Sequence, residues 1–187
     1  MPQKYLKVYS EHTDYASGSR PYTPNVSHCE SEDHVHYNGD WINEYLTFKI
    51  LSDGTIGWKS NNANATVKTI QYSINNGTWT SITSSTTGVT FNVSKGDLVR
   101  FKGNNTGYGT SNSYYNSFNS TCRFSLRGNI MSLIGDNFAS ITSVSVAQAF
   151  AGLFRGCVNL IDAKDLALPI KVMTKAHTYL FFILWVH

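Results

Sequence analysis

Between residues 45 and 127 the apolar residues recur at every second position in short runs, and a turn closes each run. Tyr45-Leu46-Thr47-Phe48-Lys49-Ile50 alternates and ends at Ser52-Asp53-Gly54. Similar runs are 55–59, 69–74, 78–82, 89–93, 98–103 and 122–127. A period of two places alternate side chains on opposite faces of a strand, so each run is a half-buried strand. About seven strands with turn signals every 8 to 12 residues are the pattern of a β-sandwich. The inward set is then Leu46, Phe48, Ile50, Ile70, Tyr72, Ile74, Phe91, Val93, Val99, Phe101, Phe124 and Leu126. Asn75-Asn76-Gly77 lies between two of the runs, and its Asn-Gly pair predicts a type I′ hairpin turn with both residues at positive φ.

Composition supports strands over a helical bundle. Ser, Thr, Asn and Gly make up 70 of the 187 residues, a mixture suited to strands and turns. Eleven Tyr, 10 Phe and 4 Trp supply too much apolar surface for a disordered chain. The net charge of +3 is unevenly spread. Glu30, Glu32, Asp33, Asp40 and Glu44 fall in a window between Arg20 and Lys49 that holds no Lys or Arg, and the rest of the chain is basic. An acidic N-terminal segment against a basic body predicts contact within the chain or between copies of it. The basic residues form no run of the kind that binds nucleic acid.

Residues 1–44 read as an extended docking arm, with Tyr22, Val26, Val35, Tyr37 and Trp41 as its contact residues. Pro21 and Pro24 break regular structure there, and the scattered apolar residues bury little by themselves. The first twenty residues show no signal-peptide pattern, so the expectation is synthesis in a cytoplasm. Residues 179–186 are the most hydrophobic run and far short of the roughly 20 needed to span a bilayer, so no membrane insertion is expected. Residues 143–154 carry Val146, Ala149, Phe150 and Leu153 at helical spacing, with Gly156 as a stop.

Few residues offer chemistry. Cys29, Cys122 and Cys157 are too few and too far apart for a disulfide framework and read as free thiols. His34 and His36, on one face of a short alternation near Cys29 and Asp33, are the only candidates for a metal; the competing reading is a polar arm facing a partner. No His falls between residues 37 and 176, which leaves the strand region without a histidine base, and no catalytic residue or cofactor is predicted. The 18-residue charge-free stretch 104–121 reads as a long loop. Its Tyr108, Tyr114, Tyr115 and Phe118 either bind carbohydrate or protein, in the way aromatic residues of antibody loops do, or pack onto the sandwich.

A resemblance enters at the C-terminal end. Ala149-Phe150-Ala151-Gly152-Leu153-Phe154-Arg155-Gly156-Cys157-Val158-Asn159-Leu160, continued by Ala163, Leu166, Leu168 and Pro169, resembles one repeat of the BspA-like leucine-rich repeat family. Residues 96–105 through 128–133 are similar to the Ig-like domain that often precedes such repeats. These proteins occur in gut Bacteroidales and their phages, and residues 24–38 resemble N-terminal arms of virion proteins of that phage group. After Thr174 the repeat pattern does not return, so residues 175–187 are either a truncated or frameshifted repeat or a last strand over the preceding one.

The resemblance and the residues together predict a mainly β chain. An arm (1–44) precedes an Ig-like β-sandwich (45–135), and a short α/β repeat unit with an apolar tail (136–187) follows it. They imply a non-enzymatic virion protein of fibre or surface-decoration type. Its arm would dock on other virion proteins, its sandwich would meet host surface protein or carbohydrate, and it would form a homo-oligomer. The other reading is a cell-surface adhesin or glycan-binding protein of the bacterium.

Overall fold

Alternation in the sequence becomes strand after strand in the computed structural model, which describes residues 41–168 apart from 112, 142 and 147. Tyr22, Val26, Val35 and Tyr37, the His34–His36 pair and residues 169–187 lie outside the described residues. The strands are β1 (Leu46–Ile50), β2 (Gly54–Ser60), β3 (Thr69–Ile74), β4 (Thr80–Thr83), β5 (Val89–Val93), β6 (Leu98–Gly103), β7 (Gly109–Ser111), β8 (Tyr114–Ser120), β9 (Phe124–Asn129) and β10 (Leu160–Ala167). They form a six-stranded sheet, β10-β9-β1-β6-β3-β4, and a four-stranded sheet, β5-β2-β8-β7. Neighbouring strands are antiparallel except β9 and β10, which run parallel. The chain is mainly β, with two sheets in the arrangement of a β-sandwich.

All twelve residues that the alternation placed inward are buried or packed against the core, which also takes Ile56, Trp58 and Ile82. Leu46, Phe48, Val99, Phe101 and Phe124 are fully buried, and Ile50, Ile70, Val93 and Leu126 nearly so. Tyr72, Ile74 and Phe91 are half-buried at the margin, where Tyr72 of the first sheet stacks on Phe91 of the second at 3.8 Å. Phe48 sits at the centre, stacked on Phe124 at 4.5 Å and edge-on to Phe118 at 5.0 Å.

Four expectations need correction. Residues 104–121 are not a long loop: β7 and β8 lie in them, and β8 pairs with β2 from Ile56↔Ser120 to Ser60↔Asn116. Asn and Ser occupy four of the seven positions of β8, so a count of apolar alternation misses it.

Residues 143–154 do not form the expected helix. The chain makes successive turns there, with amide-to-carbonyl bonds Ala151→Gln148, Leu153→Phe150, Arg155→Gly152 and Cys157→Phe154. Positive φ at Gln148 (64°) and Gly152 (72°) interrupts any helix. Gly152 is required twice over, since a Cβ there would meet the Tyr115 ring at 2.1 Å. The helical spacing of Ala149, Phe150 and Leu153 thus serves a turn ladder, whose side chains enter the sandwich core.

The unit expected to stand apart after residue 135 shares that core. Phe138, Val144, Phe150, Leu153, Phe154, Cys157, Leu160 and Ala163 belong to one apolar cluster with the strands, and β10 extends the six-stranded sheet.

The hairpin forms one residue earlier than expected. Asn75 (φ 50°) and Asn76 (φ 64°) take the two positive-φ positions, and the Gly77 amide donates to the Ile74 carbonyl at 2.8 Å. Asn75 also ties this turn to the next, donating to Asp97 and accepting from the Leu98 amide. Asn76→Val, a β-branched residue forced to positive φ, should therefore cost about 1–2 kcal/mol, and Gly77→Ala less. Urea unfolding of both variants checks this. The reverse order would place the turn at Asn76-Gly77.

Candidate functional site: a cationic and aromatic sheet face

Strands that send one set of side chains inward send the other outward. On the six-stranded sheet the outward set holds Thr47 and Lys49 of β1, Arg100 and Lys102 of β6, Arg127 of β9, and Gln71 and Ser73 of β3. Register aligns them. Thr47 is opposite both Arg127 and Arg100, and Arg100 is opposite Ser73, so Arg127, Thr47, Arg100 and Ser73 form one row across four strands. Thr47 and Ser73 are 1% and 0% exposed, short polar side chains roofed over by their long neighbours.

Aromatic rings hold three of the four cations in place. The Arg100 guanidinium lies 5.7 Å from the Tyr45 ring and 5.5 Å from the Trp79 ring, and the Lys102 ammonium lies 4.8 Å from Trp79. Tyr45 and Trp79 meet edge-on at 5.1 Å, and Tyr45 leans on Phe138 at 5.0 Å. At the β9 side Arg127 lies over Trp41 at 5.0 Å, with Glu44 3.8 Å from its Nε, a distance of ion pairing without a hydrogen bond. Each cation–π contact contributes about 0.5–1 kcal/mol at an exposed site. Unlike an ion pair, it leaves the positive charge uncancelled. Among the described residues Glu44 is the only carboxylate ion-paired to this set. The Nε atoms of Arg100 and Arg127 and the indole nitrogen of Trp41 are buried without a hydrogen-bond acceptor.

Trp41, expected to reach a partner as part of the arm, thus packs on the chain's own sheet. Asn129 reinforces this by donating to the Ile42 carbonyl at 2.9 Å.

The four aromatic residues expected to form a binding loop do not form one surface. Tyr108 is fully buried. Its hydroxyl donates to the Leu133 carbonyl and accepts from Asn105, and burial raises its pKa well above the ordinary phenol range. Phe118 is fully buried between Trp58, Phe48 and Phe101. Tyr115 is buried under Arg155, whose guanidinium is 5.6 Å from its ring. Tyr114 alone is exposed. Of the two readings of these residues, packing onto the sandwich describes three.

Other polar groups in the interior bond to one another. Ser60 and Ser84 both donate to the Asn116 side-chain carbonyl, at 2.9 and 2.6 Å, and the Asn116 amide donates to the Thr66 and Tyr108 carbonyls. These bonds fasten the β2–β3 connection to β8. A shallow cleft of about 290 Å³ lies between Asn104–Thr106, Ile134 and Ser143–Ser145, without a titratable side chain in its lining. No cluster of three metal-ligating side chains occurs among the described residues, and no helix there is long and apolar enough to cross a membrane. Compared with known proteins, the chain matches no family model, no curated protein and no solved structure.

Cys122 and Cys157 are buried free thiols. Burial raises both above the usual thiol range, and for Cys157 the neighbouring Cys122 adds to it. Neither should react with iodoacetamide at pH 7.5 until urea unfolds the chain, as peptide mass spectrometry would show. The sign for stability follows: unfolded thiols ionise near 9.0 and the folded ones only at higher pH, so stability falls as pH rises past that value. A melting temperature unchanged up to pH 10.5 would contradict this.

Proposed function

We propose that this chain is a non-enzymatic structural and adhesive module of a phage virion, of fibre or surface-decoration type. In this reading the sandwich is displayed outward for contact with a host surface. The observation that carries it is the sheet face just described. Four cations from three strands and three aromatic rings from the segments beside them share one surface, with no assembled acid–base or nucleophile pair among the described residues. Such a face suits recognition rather than turnover.

A second observation supports the resemblance on which the virion assignment rests. β10 joins β9 in parallel after a turn-rich connection, from Leu160↔Phe124 to Ala167↔Asn129. Parallel addition through such connections is how repeat units stack into a solenoid. The sandwich and its last strand therefore read as the foundation of a repeat, with β10 at the sheet's edge as the place where a further unit would add. The same feature suits a bacterial surface adhesin, which keeps that alternative in play.

Labelling decides between them. Antibodies raised against the sandwich should mark purified phage particles under immunogold electron microscopy, and the chain should appear among the particles' proteins by mass spectrometry. Label confined to the surface of uninfected bacteria would make it an adhesin of the cell.

A further inference from the structure

The reading above leaves open what the sheet face recognises. We infer that the row through Arg127 and Arg100, with Trp79 and Tyr45 beside it, binds an acidic polysaccharide bearing one carboxylate per disaccharide. This rests on the displayed-module reading for its biological sense, but not for its chemistry.

The spacing is the first argument. Arg127 and Arg100 flank Thr47 on neighbouring strands, so their backbones are two strand spacings apart, about 10 Å. That is the order of the charge repeat in a polysaccharide with an acid on alternate sugars. Lys102 and Lys49 lie two residues from the row along β6 and β1, on the same outward side, and can take up carboxylates displaced from it.

Shape and polarity are the second. The face comprises a sheet rather than a pocket, suited to a ligand that lies across it. The half-buried Trp79 and Tyr45 rings offer apolar surface for the carbon–hydrogen faces of sugar rings. Gln71, Ser81 and Thr83 supply neutral hydrogen-bonding groups on the outward side of β3 and β4.

The test is calorimetric titration of the full chain with hyaluronan decasaccharide, neutral chitopentaose and poly-glutamate, with tryptophan fluorescence read in parallel. Hyaluronan should bind, with affinity falling as salt rises, and chitopentaose should not. Arg100→Gln and Trp79→Ala should each weaken binding about tenfold or more. Lys59→Gln, on the other sheet, should leave it unchanged. Melting temperatures show whether each variant is folded, and Lys102→Gln serves if Arg100→Gln is not. Absence of hyaluronan binding overturns the proposal, as does poly-glutamate binding equally well, since the face then reads charge alone. Binding that appears only after Glu30, Glu32, Asp33 and Asp40 are neutralised together also overturns it, because the chain's own acidic run is then the occupant. None of these outcomes bears on whether the chain is found on particles, so the two readings fail separately.

Discussion

Phe48 is the contact on which the two sheets and the C-terminal turns all depend. It comes from β1, the strand third from the β10 edge, and is fully buried. Its ring stacks on Phe124 of β9, tilts against Phe101 of β6 at 4.8 Å, meets Phe118 of β8 edge-on, and reaches Phe154 in the turn ladder at 6.3 Å. One side chain therefore joins both layers and the segment that closes them. Aromatic pairs of this kind contribute about 0.5–1.5 kcal/mol each beyond the area they bury. Because they have preferred geometries, they also fix the distance and angle between the layers. The outward face follows from this. With Leu46, Phe48 and Ile50 inward, Thr47 and Lys49 must point out. The same holds for Arg100 and Lys102 around Phe101, and for Arg127 after Leu126.

A second constraint lies at the other end of the sandwich, where the chain crosses between sheets. The link from β2 to β3 brings backbone carbonyls into the interior, and buried carbonyls need donors. Asn116 supplies them to Thr66 and Tyr108, while the Trp58 indole donates to Lys68 at 2.9 Å. Tyr108 does comparable work by tying the short helical turn Ile130–Leu133 to the core through Leu133. This explains why residues with the look of a binding loop are buried: their polar tips serve the backbone of neighbouring connections, and their rings fill the space between.

The sandwich was legible in the sequence because its core strands alternate cleanly, and all twelve residues read as inward are buried or packed against the core. What alternation could not show were β7, β8 and β10. The first two are built largely of Ser, Asn, Thr and Tyr, whose polarity masks burial, as at Asn116 and Ser117. β10 spaces its buried residues as Leu160, Ala163 and Ala167 across register shifts, which imitates neither a strand nor a helix. The false helix had the opposite cause: correct spacing of apolar residues, overruled by left-handed backbone at Gln148 and Gly152. The cationic face went unseen because its members, from Trp41 to Arg127, adjoin only through strand register. A signal for it was nevertheless present. Each of Lys49, Arg100, Lys102 and Arg127 sits next to a residue already read as core or one position from it, which fixes them on a common outer side.

How that face holds its charges bears on what it can do. Four cations on one sheet repel one another, and a protein can settle them with acids or with rings. Acids would neutralise the surface, leaving little field beyond it. Rings stabilise each cation through the electron-rich face while the net charge persists. Among the described residues the rings predominate, for three of the four cations. Arg100 lies near both Tyr45 and Trp79, Lys102 shares Trp79, and Arg127 has Trp41. Glu44 is placed only at the β9 margin, where residues 41–44 approach the sheet, and is itself 46% exposed, so its long contact with Arg127 is weakened by water. Side chains held by packing in this way lose less freedom on meeting an anion than free lysines and arginines would. A surface both charged and fixed is therefore a consequence of using rings where acids could have stood.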